Sequence, residues 1–487
     1  MTLPPDFGPT GVGAEVACTG CGTPVTLTQS LGLRCPLADS DDGQDHALYR
    51  FLDGPRLCFP ESLDRNPFVR YRTLFTTYHV ARQLGLPDED YVELVAGLSR
   101  RAADLLGEPL LMADVAEVPV DSADLALPVR RLEATNAVLP WATRGLFGIL
   151  VHLAALEAVG QRAAVAARAR PLVCLGDPDT IRVAVILAQL SGRPMSVVVP
   201  DPCPAAVMAF LRAARVEPLV ADGPSPAACR ARFHRALRDG ALPFTPYGAH
   251  ALPAREGLAT LAYDIAEALH ARGESLAMMV VPATGGALPS ALVTGYSEAF
   301  LVGGAGTLPR LIVLEGEGEG ALIHAMDRLD DRMGRVCEPD PNVYVPALRD
   351  AARDPDAYLD PGPDTTADDD DLDDDLDDED TRAWDANPGQ PWATRPPDWL
   401  ACLDGVVRTR GAIMALDMEE VDPDDPEDDG ADAEPADGTR SGGGATAQDD
   451  SDVAARAAAL ALRAMAGLPD DQPLLTEIDN GVVLVVT

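Results

Sequence analysis

The sequence predicts an α/β protein with open, largely parallel sheets in two lobes and a small cysteine-bearing unit at the N-terminus. Three observations predict it. Between Pro171 and Glu315, short apolar runs alternate with stretches of helical pattern. Turn residues separate the runs. The chain ends in Val482–Thr487, an apolar run that reads as a buried strand.

The elements follow in order. Leu172–Leu175 is a strand, Gly176-Asp177-Pro178-Asp179 a turn whose acid suits a helix cap, and Ile181–Leu190 a helix stopped by Ser191-Gly192. Ser196–Val199 is the next strand, Pro204–Ala214 the next helix, and Glu217–Val220 the strand after it. Met278–Val281 is a strand, Thr284-Gly285-Gly286 a turn, and Ala287–Phe300 a helix. Leu311–Leu314 is another strand, followed by the turn Gly316–Gly320 and a helix over Ala321–Leu329. A helix over Val453–Ala466 precedes the terminal strand. Apolar strands alternating with helices imply parallel sheet covered on both faces.

The chain has 487 residues, 47% hydrophobic and 24% charged, which is a globular composition with length enough for more than one lobe. No apolar run reaches the ~18 residues of a membrane span. Met1–Val16 lacks a basic region followed by an apolar one, so a secretory signal is not expected. Nine cysteines in this length do not form a disulfide scaffold, and a cytoplasmic location is expected.

The charge balance is 78 acids against 38 basic residues, a formal net of −40, which disfavours nucleic acid as a partner. The acid is concentrated. Asp354–Asp380 holds 15 acids and no arginine, and Glu419–Asp452 holds 14 acids and Arg440. Without them the chain keeps 49 acids and 37 arginines, an ordinary acidic balance. Repelling like charges with little apolar surface read as disordered inserts. The organisation expected is therefore a knuckle over 1–60, a core over 61–353, 383–418 and 453–487, and acidic inserts at 354–382 and 419–452.

All 38 basic residues are arginine; there is no lysine. An average composition would place on the order of twenty or more lysines in this length. No side-chain amine is available for a Schiff base.

Cys18-x2-Cys21 followed by Cys35 has the spacing of a zinc knuckle, whose thiolates need a fourth ligand to close a tetrahedron. His46 and Cys58 are the candidates. The alternative is a knuckle without metal. The other histidines show no ligand spacing, and His152, in an apolar helix, reads as a packed residue. Thr284-Gly285-Gly286 before a helix can offer N–H groups to an anion, or serve only as a turn that needs glycine. Glu315-Gly316-Glu317-Gly318-Glu319-Gly320 reads as a turn, because its glutamates would repel a pyrophosphate. The aspartate run Asp368–Asp380 lacks the spacing of a calcium loop.

The order of these motifs resembles the pyridoxal-phosphate enzymes of fold type II, the tryptophan synthase beta-like superfamily, and within it the threonine synthase and cysteate synthase group. The cysteine unit, Asn66-Pro67-Phe68-Val69-Arg70-Tyr71-Arg72, the unit Leu172–Pro200, the run Val281–Ala287 and the terminal strand each have a counterpart there. The resemblance implies cofactor-binding positions at Asn136, Thr284, Gly285, Gly286 and Thr487, in vestigial form. It also places the cofactor lysine within Asn136–Gly145, before a helix over Leu146–Ala158, at the position held by Ala142. The Gly-Ser that precedes the lysine is here Leu139-Pro140, and the Ser-Gly-Asn turn is here Gly176-Asp177-Pro178-Asp179. A carboxylate in that turn would repel the anionic cofactor, and Pro178 removes a donor.

The departures imply a non-catalytic relative, a partner subunit or regulator, paired as a homodimer or as a heterodimer with an active homologue. Two other readings stay open. One is a lyase or synthase of amino-acid metabolism that holds pyridoxal phosphate non-covalently. The other is an acidic binding module for a basic protein or peptide. No catalytic residue is assigned, no covalent cofactor is expected, and zinc on Cys18, Cys21, Cys35 and His46 is the metal expectation.

Overall fold

The computed structural model describes residues 14–38, 42–54, 57–118, 128–133, 140–316, 320–334, 340–359, 395–416 and 481–486. Strands β1 (Ala14–Cys18) and β2 (Leu48–Leu52) open the chain, followed by α1 (Pro67–Arg70), α2 (Thr76–Gln83) and α3 (Asp88–Leu106). Then come β3 (Asp114–Glu117), β4 (Val129–Glu133), α4 (Pro140–Ala158) and α5 (Arg162–Ala166). The chain continues with β5 (Leu172–Cys174), α6 (Pro178–Ala188), β6 (Met195–Val199), α7 (Ala205–Ala214), β7 (Glu217–Val220), α8 (Pro226–Arg238) and β8 (Leu242–Pro243). The rest is α9 (Leu252–Arg272), β9 (Ser275–Pro282), α10 (Ala287–Leu301), β10 (Arg310–Gly316), α11 (Ala321–Met333), α12 (Pro341–Arg353), α13 (Asp356–Leu359), α14 (Trp399–Thr409), β11 (Ala412–Leu416) and β12 (Gly481–Val485).

Two open sheets form the lobes. The smaller has the order β7-β6-β5-β8 and is all parallel. The larger has the order β11-β10-β9-β12-β4-β3 and is parallel except for β3, which runs antiparallel to β4. The terminal strand inserts between β9 and β4, and all five of its residues are buried. This is the α/β architecture expected from the alternation. Two helices begin earlier than read, each with proline at the first helical position, where its missing N–H costs nothing. Thus α6 starts at Pro178, capped by Asp177; α8, which is not among the elements read from the sequence, likewise has proline first, Pro226, capped by Ser225. The strand read as Met278–Val281 runs over Ser275–Pro282, and the helix read as Leu146–Ala158 starts at Pro140. The Val453–Ala466 helix, Glu419–Asp452 and residues 360–382 lie outside the described residues.

Helix α9 is the axis of the molecule, with 16 of its residues buried. It packs closely on α4 where Gly148 meets Gly257. A Cβ on Gly257 would lie 2.2 Å from the Arg144 carbonyl oxygen, so only glycine permits the approach. Charged side chains on this buried helix are held by partners from elsewhere in the chain. Arg50 of β2 donates to Glu256 (2.8 Å) and to both oxygens of Glu298 on α10. Arg144 of α4 pairs with Asp264 at 2.9 Å, and Arg255 pairs with Asp398 at 2.7 Å. Arg70 and the Tyr71 hydroxyl both reach Glu267. Burial of unpaired charge would be costly, so these pairs join β2, α4, α10 and the segment before α14 to one helix.

Candidate functional site

In open α/β sheets ligands bind beyond the carboxyl ends of the strands. Three such ends matter here. After β5, the Asp177 carboxylate is turned onto its own helix: it accepts from the Thr180 amide and the Thr180 hydroxyl, each at 2.6 Å. After β10, the buried carboxylate of Glu315 accepts from the Leu322 and Ile323 amides at 2.9 and 3.0 Å. That glutamate belongs to the strand and caps α11 from inside; residues 317–319 of the expected turn lie outside the described residues. Burial pushes its carboxyl above the usual range, and the helix amides oppose the shift.

After β9 comes the glycine loop. Gly285 and Gly286 have φ of +66° and +79°, which an L side chain rarely adopts. The Gly286 amide donates to the Ala283 carbonyl at 2.6 Å. The segment before α14 lies directly over the loop. The Asp398 amide donates to the Gly285 carbonyl, and a Cβ on Gly286 would meet the Asp398 carbonyl carbon at 2.9 Å. The glycines serve a close approach by the chain itself.

The surroundings of this loop are acidic. Asp398 is fully buried; burial raises its carboxyl, while Arg255 and the Gly248 and Ala249 amides lower it. Burial, together with the Asp177 and Asp398 carboxylates, holds the Tyr247 phenol well above its ordinary value.

Ala142, at the expected lysine position, is buried in the first turn of α4. Arg144, which keeps its place in the motif, points to Asp264, the Thr260 hydroxyl and the Leu111 carbonyl, an inward structural set. Asn136 and Thr487 lie outside the described residues, as does the side chain of Thr284. Pyridoxal phosphate therefore does not fit what is described: there is no lysine, a main-chain segment covers the glycine loop, and the buried carboxylate of Asp398 lies beside it.

The knuckle has the opposite character. Cys18, Cys21, Cys35 and His46 place their ligand atoms within 4.8 Å of one another. Cys18 Sγ lies 3.6 Å from His46 Nδ1, and Cys21 Sγ lies 3.7 Å from Cys35 Sγ. A tetrahedron with Zn–S of about 2.3 Å and Zn–N of about 2.0 Å has edges of roughly 3.5–3.8 Å. His46 Nε2 faces both oxygens of Asp42 at 3.1 and 3.2 Å, so a proton on Nε2 leaves Nδ1 free to ligate. Cys58, the other candidate for the fourth position, is exposed and outside the cluster. Burial raises the Cys18 and Cys35 thiols. Burial also acts upward on Cys21, but hydrogen bonds with Thr23 and neighbouring ligands outweigh it and bring the thiol down to about 6. The residues present fit a zinc ion.

His152 is buried, with Nδ1 2.6 Å from the Thr77 hydroxyl and Nε2 on the Leu31 carbonyl. It fastens the knuckle loop to α2 and α4, and burial depresses its pKa. No helix among the described residues is long and apolar enough to cross a membrane.

No protein-family model matches the chain, and no curated protein matches it. Solved structures do. Diaminopropionate ammonia lyase from Escherichia coli, in complex with an aminoacrylate–PLP azomethine intermediate, is 14% identical, with 80% of this chain and 87% of that one covered and a TM-score of 0.43. Maize serine racemase is 14% identical over 53% of this chain and 73% of its own, with a TM-score of 0.32. A pyridoxal 5′-phosphate-dependent aspartate racemase is 14% identical over 53% and 77%, with a TM-score of 0.35. The α/β architecture of this chain stands on its own strand order and register.

Proposed function

We propose that the chain is a non-catalytic relative of the fold-type-II pyridoxal-phosphate enzymes and acts as a partner subunit or regulator. The observation that carries this reading is the absence of any lysine, with buried Ala142 at the motif position where the family's lysine lies. Two further features support it. The carboxylates of Asp177 and Glu315 serve the helix N-termini after β5 and β10, and the Asp398–Trp399 backbone covers the glycine loop after β9. The helix N-termini after β5 and β10 are thus occupied by the chain's own carboxylates, which would repel a phosphate at either place. The knuckle is read as a structural zinc site, closed by four protein ligands with no position left for substrate. Pairing with a second copy or with an active homologue is part of the same proposal.

Borohydride reduction in the presence of pyridoxal phosphate, followed by peptide mapping, tests it. The expected result is no phosphopyridoxyl group on any side chain. A reduced adduct mapped inside the chain sinks the proposal.

A further inference from the structure

A cavity of about 670 Å³ opens between the knuckle, β2, α12 and α14, walled by none of the glycine-loop residues. Alternation along β2 builds one wall. Leu48 and Arg50 point into the core, so Tyr49 and Phe51 face the other way, into the cavity. Val345 and Leu348 of α12 and Ala401 of α14 supply apolar surface opposite. The volume lies within the range of small-molecule sites, which combine an apolar lining with a few placed polar groups.

The polar groups in this wall are unequal. Asp404 is already held by Arg408 at 2.8 Å and by the Tyr49 hydroxyl at 3.0 Å. Arg255 is committed to Asp398 and to the Leu48 carbonyl. Arg349 has no hydrogen bond or ion pair among the described residues, and Arg353 reaches only Asp350, at 3.9 Å. The two lie one helical turn apart on α12, so their guanidinium groups share one face. Among the described residues this cation pair, beside an apolar hollow, has no ion-pair partner closer than 3.9 Å, which is notable in a chain of net charge −40.

We infer that this cavity binds a small organic anion, its apolar or aromatic body on Tyr49, Phe51, Val345 and Leu348 and its carboxylate or phosphate on Arg349 and Arg353. Guanidinium forks match both headgroups. The inference is independent of the non-catalytic reading, because none of these residues belongs to the glycine loop or to the Ala142 helix.

The test uses the full chain and two fluorescent probes of like shape, anilinonaphthalene sulfonate and uncharged phenylnaphthylamine. The wild-type chain is expected to bind both. R349Q/R353Q, on exposed positions, should leave melting and phenylnaphthylamine binding unchanged and weaken the sulfonate by about tenfold or more. Ala401→Trp, which fills the hollow, should weaken both. Displacement of the sulfonate by decanoate or by decyl phosphate supports the site and shows which headgroup it favours. Failure of the wild-type chain to bind the sulfonate, unchanged sulfonate affinity in R349Q/R353Q, or displacement by neither acid overturns the inference.

Discussion

Arg50→Ala is the most informative single perturbation of this fold. Arg50 points from β2 into the core, where it donates to Glu298, Glu256, the Leu74 carbonyl at 2.6 Å and the Tyr263 hydroxyl at 2.9 Å. Only 6% of Arg50, 4% of Glu256 and 7% of Glu298 is exposed. Removing the guanidinium leaves two buried carboxylates on facing helices with no cation between them. Breaking a buried pair of this kind costs about 3–5 kcal/mol, and here one cation serves two anions, so the upper part of that range is expected. Equilibrium urea denaturation measures it, as the midpoint shift multiplied by the slope. Adding Glu298→Ala to Arg50→Ala should recover part of the loss, because one orphaned charge is removed. If Arg50→Ala lies within about 1 kcal/mol of wild type, where an exposed pair would fall, the network does not tie the knuckle to the core as argued.

Other consequences concern protons, metal and the lost amine. Burial depresses the pKa of His79, His152 and His250, so each stays neutral in the fold and takes its proton on unfolding. Their contribution is present above the unfolded value of about 6.5 and is lost as pH falls towards the folded values, by up to about 1.4 kcal/mol per pH unit for each histidine. His152→Gln should flatten the stability profile between pH 7 and 5.5 by one such share, and an unchanged slope contradicts the assignment. Elemental analysis should find one zinc per chain, lost in Cys18→Ser and His46→Ala and kept in Cys58→Ser; unaltered melting after chelation counts against a structural metal. Ala142→Lys should bury an amine in a packed helix turn, lower the melting temperature and still give no turnover with pyridoxal phosphate. Recovery of activity by that change alone would show the rest of the site to be intact.

Much of the fold is readable from the sequence because parallel strands buried on both faces leave continuous apolar runs. Leu311–Leu314 lies within β10 with all four residues buried, and α10 starts at Ala287, where the pattern puts it. Helix α9 is harder to read: Arg255, Glu256, Asp264 and the half-buried Glu267 interrupt any apolar stripe, and each is held by an oppositely charged partner far away in sequence. The cysteine–histidine cluster is readable in part: the spacing singles out Cys18, Cys21 and Cys35 and leaves His46 and Cys58 open as the fourth member, and it is His46 that lies with them. The fate of the glycine loop is not. Nothing near Gly286 announces that Asp398 will lie over it. The cavity beside Tyr49 and Arg349 is equally silent, because three separate segments must meet to enclose it.

The visible absorption spectrum of the full chain, taken after incubation with excess pyridoxal phosphate and removal of free cofactor, tests the central claim most directly. The account predicts a protein without a visible band, because the chain holds no lysine and its glycine loop is covered by Asp398 and Trp399. A retained yellow chromophore, stoichiometric with the chain, would contradict it.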